Sequence, residues 1–238
     1  MIDLHTHILP RIDDGSKDIG MTEQMLEEEA RQGAKAVLAT PHFYAHRRSI
    51  PQFLERRQAA YEDVKETILA RRDDLPKIAA GAEVYYFTGV GRAKELPALC
   101  YEGTDILLLE MPFTQWTKEV YQDVREILYR QHLTVVLAHV ERYLQFQKDK
   151  SVFEETLSLP LHIQFNAEDF LERGKKRRWC LKQIQQGGSI LLASDCHNLT
   201  SRRPNMADAL AVIEKKAGKP AADRILNNAN TLFADLLP

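Results

Sequence analysis

Short, continuous apolar runs alternate along the chain with longer amphipathic stretches. Residues 1–5, 35–40 (KAVLAT), 77–83, 105–110 (DILLLE), 133–138 (LTVVLA), 161–165 and 189–194 (SILLAS) read as strands. Runs of this kind, without a polar alternate, are expected when both faces of a parallel sheet are covered. Between them the apolar positions recur at helical spacing. Residues 18–33 place Ile19, Met21, Met25, Leu26 and Ala30 near one face and stop at Gly33. Residues 51–72 open on Pro51, which suits a first helical turn. Segments 119–132, 174–186, 204–217 and 220–237 complete the expected helices. About seven strands, most followed by a helix, fit either a doubly wound sheet or a barrel. No repeat, low-complexity tract or linker interrupts the pattern, so residues 1–238 read as one domain.

Composition narrows the function classes. The 238 residues carry 32 Lys+Arg against 34 Asp+Glu, a formal charge of −2, which gives no general attraction to nucleic acid. At 44% apolar the chain has enough side chain to build a core. No apolar run reaches the ~18 residues needed to span a bilayer. The opening MIDLHTHILP lacks the charged and apolar regions of a signal peptide. Cys100, Cys180 and Cys196 lie too far apart for a disulfide scaffold. A cytoplasmic protein without membrane insertion or nucleic-acid partner is expected.

Ligand-type side chains gather at the predicted strand ends. His5 and His7 close the first strand, and Asp13-Asp14-Gly15 follow. His42 follows the second, Glu83 ends the third, Glu110 the fourth and His139 the fifth; Asp195 and His197 follow the seventh. Parallel α/β folds place their chemistry at these ends. In extended chain, residues i and i+2 share a side, so His5 and His7 can grip one ion, and Asp195 and His197 can face one cavity. Five imidazoles and four carboxylates without a thiolate suit Mn, Fe or Zn. Nine ligands exceed one ion's needs, so carboxylates bridging two or three ions are the natural reading. The surplus positive charge of such a cluster would attract a phosphate dianion. His46, His132 and His162 fall outside the pattern and read as structural or surface residues. Asp3 shares strand parity with His5 and would orient a ligand histidine or meet a structural partner; Asp13 would support the site or cap a helix. Cys196 lies between two ligands and points away if the segment is extended, and no cysteine sits in a CX5R loop.

The motifs HTH at 5–7, DDG at 13–15, PH at 41–42, GAE at 81–83, HVER at 139–142 and SDCHN at 194–198 resemble the PHP (polymerase and histidinol phosphatase) superfamily. Within it, MIDLHTHILPRIDDG, GAEVYY, HVERY and SDCHNLTSRRP resemble the CpsB/YwqE-type manganese-dependent protein tyrosine phosphatases of bacteria. The resemblance implies a distorted (β/α)7 TIM-like barrel, the PHP fold, with its metal site at the C-terminal ends of the strands. It implies three ions, Mn²⁺ with Fe or Zn as options. His5, His7, Glu83 and Asp195 would hold the first, Glu83, Glu110 and His139 the second, and Asp14, His42 and His197 the third. Arg142 and Arg202 match positions near phosphate, with the adjacent Arg203 the alternative to Arg202 if the register shifts by one. A metal-activated hydroxide would attack phosphorus directly. The implied substrate is phosphotyrosine on a bacterial tyrosine kinase, and the implied role is control of capsule or exopolysaccharide synthesis. Phe43, Tyr44, Tyr85, Tyr86, Phe87, Phe113 and Trp116 are candidate walls for its ring. Arg47-Arg48, Arg56-Arg57 and the basic run 175–178 would meet an acidic tail or form a solvated face. The alternatives are a histidinol-phosphate or other small-molecule phosphomonoesterase, a nucleic-acid phosphoesterase, and a regulatory module without activity. Residues 43–50 (FYAHRRSI) depart from the family pattern beside the expected site.

Overall fold

In the computed structural model, residues 1–234 and 236 are described. Nine parallel strands form: β1 (Ile2–Thr6), β2 (Ala36–Ala39), β3 (His42–Phe43), β4 (Lys77–Ala80), β5 (Glu83–Tyr85), β6 (Ile106–Glu110), β7 (Thr134–Leu137), β8 (His162–Asn166) and β9 (Ile190–Ala193). They pair as β1-β2-β4 and β3-β5-β6-β7-β8-β9. The separation is local. β2 runs on into β3 across Thr40-Pro41, and β4 into β5 across Gly81-Ala82, with backbone bonds Gly81 N to Ala39 O (2.8 Å) and Glu83 N to Pro41 O (3.1 Å) carrying the ladder through the break. At the far side Asp195 N donates to His5 O and His7 N to Cys196 O, both at 2.9 Å, joining the end of β9 to β1. Counted this way, seven strands close into a barrel, as the resemblance implied. The expected strand 77–83 is therefore two pieces, and Glu83 begins the second. Gly81 permits the break, because a Cβ there would lie 2.6 Å from the Tyr101 ring.

Alternate residues from opposite sides of the ring, including Leu4, Leu38, Leu108, Val136 and Leu191, pack together with Tyr101 and Phe233. This is the barrel interior. The other strand faces, such as Val37, Leu107, Leu109, Val135 and Leu192, meet the surrounding helices. Burial on both faces explains the unbroken apolar runs.

The helices are α1 (Ile19–Arg31), α2 (Ile50–Val64), α3 (Lys118–Tyr129), α4 (Ser151–Leu157), α5 (Glu168–Leu171), α6 (Lys175–Gln186), α7 (Met206–Ala217) and α8 (Lys219–Leu232). Asp18 caps α1 by accepting from Met21 N. Ser49 and Gln52 form a reciprocal capping box on α2. The expected helix 51–72 is α2 followed by a π-helical turn over Lys65–Leu69. α4 and α5 were not expected, because seven and four residues are too short to show helical periodicity. The last expected helix ends in α8 at Leu232, and Leu237 lies outside the described residues. No helix among the described residues is long and apolar enough to cross a membrane.

Candidate metal centre

The interior alternation turns polar at the C-terminal end of the barrel. Glu110 continues the register of Leu108, and Asp195 that of Leu191 and Ala193. All nine expected ligands converge there. His5 Nε2 and His7 Nε2 face one another at 3.2 Å. Glu83 Oε2 lies 3.3 Å from both nitrogens, and Asp195 Oδ1 lies 3.5 and 3.4 Å from them. On one side His139 Nε2 contacts Glu83 Oε1 at 2.8 Å and Glu110 Oε1 at 3.5 Å. On the other, Asp14 Oδ1 lies 3.5 Å from both His42 Nε2 and His197 Nε2. His42 Nδ1 comes within 2.7 Å of Glu83 Oε2 and 3.9 Å of Glu110 Oε2. Three groups have donor atoms mutually close enough for one ion: His5, His7 and Glu83; His7, Asp14, His42 and His197; and His42, Glu83 and Glu110. His7 and His42 each join two groups, so the partition is less strict than the resemblance implied.

The donor chemistry fits divalent cations. Asp195 Oδ1 and His197 Nε2 are buried without a hydrogen-bond partner, and Glu83 Oε2 and His42 Nδ1 lie 2.7 Å apart without hydrogen-bond geometry. Leaving such atoms unsatisfied is costly, and a cation among them would satisfy several at once. Burial raises the Glu83 carboxyl, but the charges of His5 and His42 overcome this and hold it well below the usual range. Asp195 behaves alike: burial raises it, while His5 and a hydrogen bond from His7 hold it far down. Burial lowers His139, but hydrogen bonds to Glu110 and Glu83 lift it to about 9. Protons held by imidazoles among ionised carboxylates mark the places where metal would displace them.

Two of the four non-glycine residues with positive φ among the described residues are candidate ligands. His139 (φ 31°) and Asp195 (φ 53°) occupy the left-handed region that non-glycine residues avoid. The turn after β1 needs Gly15 because a Cβ there would fall 2.1 Å from His7 O. Asp13 supports rather than ligates. Its Oδ2 sits 2.7 Å from His7 Nδ1 and accepts from His42 N, and its Oδ1 accepts from Gly15 N.

Asp3 does not orient a histidine ring. Its carboxylate accepts from Ser194 N and faces Glu29 on α1, while the His5 ring turns to Gln164. The register irregularity between Asp3 and Thr6 breaks the alternation that parity assumed. Two supporting residues were missed. Gln164 Oε1 lies 3.1 Å from His5 Nδ1 and accepts from His139 N, and Asn166 Nδ2 donates to Asp195 Oδ2 at 2.8 Å. Their signal was present: two amides at i and i+2, alternating with Ile163 and Phe165 in one strand.

Arg142 Nη1 and Arg202 Nη2 approach the same oxygen, Asp195 Oδ2, at 3.6 and 2.8 Å. Arg203 instead pairs with Asp208, away from Asp195. Arg142 lies over Phe113, whose ring stacks on His139. Among the candidate aromatics, Phe43 and Tyr44 line a cavity with Asp14 and His42, and Tyr85 touches Tyr44. Tyr86 bonds Asp123 and Trp116 packs on Tyr143 and Phe153, so these two belong to the core. Cys196 is buried with its thiol on Glu29, and burial with that neighbouring carboxyl raises it well above the usual range.

The chain is 29% identical to the tyrosine-protein phosphatase CpsB of Streptococcus pneumoniae over all of both chains. It is 26% identical to the tyrosine-protein phosphatase YwqE of Bacillus subtilis (strain 168), covering 98% of this chain and 91% of that one. Among solved structures it matches one from a study of YwqE from Bacillus subtilis and CpsB from Streptococcus pneumoniae, described there as metal-dependent tyrosine phosphatases. The TM-score is 0.84 at 24% identity, with 98% and 94% of the two chains covered. The model of the capsular polysaccharide synthesis family CpsB/CapC matches residues 1–234, and the chain belongs to that family.

Proposed function

We propose that this protein is a metal-dependent protein-tyrosine phosphatase, a phosphoric monoester hydrolase acting on phosphotyrosine of a bacterial tyrosine kinase in capsule or exopolysaccharide synthesis. One observation carries the reading: nine candidate ligands, all but the exposed Asp14 buried or half-buried, converge at the barrel mouth beside two arginines aimed at a shared carboxylate oxygen. His5, His7, Asp14, His42, Glu83, Glu110, His139, Asp195 and His197 would hold the ions, with Glu83 central. Mn²⁺ is the proposed metal, in up to three positions. Bound there, it would supply Lewis-acid stabilisation of phosphoryl oxygens and an activated water for direct displacement at phosphorus.

The chain's own residues do the rest. Arg142 and Arg202 present guanidinium forks to the phosphate and spread the charge that builds in the transition state. Asp195 holds both heads at the mouth until a phosphate competes for them. Phe113 beneath Arg142 limits where that head can swing. Gln164, Asn166 and Asp13 fix the rings of His5 and His7 and the carboxylate of Asp195, so little reorganisation is needed when substrate arrives. The buried, protonated Cys196 takes no nucleophilic part.

Phosphate release from a phosphotyrosine peptide and from histidinol phosphate, measured side by side with Mn²⁺, tests the reading. A strong preference for the peptide is expected. A strong preference for histidinol phosphate would assign the same centre to a small-molecule phosphatase.

A further inference from the structure

The segment that departs from the family pattern builds a second basic surface. β3 ends at Phe43, and Tyr44 O accepts from the amides of Arg47 (2.9 Å) and Arg48 (3.3 Å), so the chain turns back on itself. The turn lays the Arg47 guanidinium over the Tyr44 ring, 4.6 Å from its centroid. The ring in turn rests on His42, at 5.1 Å between centroids. Ser49 then caps α2. Between these groups lies a cavity of about 540 Å³ lined by Asp14, His42, Tyr44, Arg47, Arg48 and Phe53. It shares no lining residue with the separate recess of Arg142, Asn166, Asp195 and Arg202.

The charges in the two recesses are used differently. Arg142 and Arg202 are engaged by Asp195. Further along α2, Arg56 and Arg57 donate to the carbonyls of Arg11 and Gly81. Arg47 and Arg48 form no ion pair among the described residues, and Arg47 is spent only on the Tyr44 face. The two carboxylates on the opposite wall are occupied, Asp13 by His7 and Asp14 by His42 and His197. Two unpaired guanidinium groups beside an aromatic floor, open toward the candidate ligands, are complementary to a carboxylate.

We propose that Tyr44, Arg47 and Arg48 form a specificity subsite for an acidic side chain next to the scissile phosphotyrosine. The proposal rests on the phosphotyrosine reading above. It gives the enzyme a way to choose among phosphotyrosines that its metal centre alone does not distinguish. Two charge-assisted contacts at a partly open site correspond to about a tenfold preference.

Three otherwise identical phosphotyrosine peptides, flanked by Glu, Gln or Lys, test it with the Mn²⁺-loaded protein. kcat/KM is measured for each. Binding of the matching non-hydrolysable phosphonate peptides is followed by fluorescence anisotropy. The Glu peptide is expected to lead the Gln peptide by about tenfold in both readouts, and the Lys peptide to trail. R47A/R48A is expected to bring the Glu-to-Gln ratio close to one, and R47K/R48K to keep most of it, since charge rather than fold is at stake. Equal use of all three peptides, or an unchanged ratio in R47A/R48A, overturns the subsite and leaves the phosphatase reading standing. Failure to hydrolyse any of the three, with histidinol phosphate turned over, overturns both.

Discussion

Glu83 and Asp195 are buried as deeply as Asp3 and Glu29, yet the two pairs ionise in opposite directions. At the barrel mouth, His5 and His42 surround Glu83, and His5, His7 and Arg202 surround Asp195; both carboxyls are held far below their usual range despite burial. Between β1 and α1, burial raises Asp3 although two bonds from Ser194 oppose it. Glu29, buried against Asp3 and the Cys196 thiol, is raised further. The difference lies in the partners. Burial by itself favours the neutral acid, and only a ring of imidazole or guanidinium groups reverses it. The first pair is built to hold charge and the second to hold a proton.

The most severe way to break the comparison is to remove the charge that organises the mouth. Glu83 contacts His5, His7, His42 and His139. Glu83→Ala leaves four imidazoles without their shared partner. Hydrolysis is expected to fall below detection and the bound metal, measured by elemental analysis after gel filtration, to drop with it. Full metal content in an inactive Glu83→Ala protein would remove Glu83 from the ligand set.

Arg142 separates charge holding from catalysis. It is half-exposed, lies 3.6 Å from Asp195 Oδ2, and makes no contact with a candidate ligand nitrogen. Arg142→Ala is expected to lower kcat by about a hundredfold, the scale of losing one transition-state donor. Metal content should stay at the wild-type level. Metal lost in parallel with turnover would make Arg142 a structural partner of Asp195.

The same contrast shows what could be read before the structure. Position at or just beyond an apolar run pointed to eight of the nine candidate ligands, because a ligand's residue type is conspicuous there, and the family resemblance chose Asp14 over Asp13 in the turn after β1. Long runs also located the barrel strands, since burial on both faces leaves a plain apolar signature. The breaks at Thr40-Pro41 and Gly81-Ala82 fall at a proline and a glycine, residues that punctuate strands, but neither stops the surrounding apolar run for long enough to separate two strands. Of the two roles left open for Asp3, the structural partner holds, because parity applies only in regular strand and β1 slips between Asp3 and Thr6. Glu29 was invisible as a partner. On α1 it reads as one of several charged residues, and only the packing of α1 on β1 brings it to Asp3.

The smallest effect sharpens the other side of the comparison. Glu29 carries the proton of its pair, because Asp3 has the amide of Ser194 to stabilise its charge while Glu29 Oε2 has no partner. Burial and the neighbouring Asp3 carboxylate hold its pKa in the folded protein well above the ordinary value of 4.5 that the unfolded chain would show. The folded state therefore binds this proton more tightly than the unfolded state. Its contribution to stability is complete below that unfolded value and is lost as pH rises toward the folded one. Glu29→Gln keeps a neutral side chain of the same size and gives Asp3 a permanent donor, so that loss should disappear. Urea midpoints at pH 5 and pH 8 read it out. The wild-type midpoint is expected to fall between the two by more than that of Glu29→Gln, with the variant at least as stable at pH 8. Equal pH dependence in both proteins would mean that Glu29 is already ionised when folded, and that the two buried pairs differ in place but not in kind.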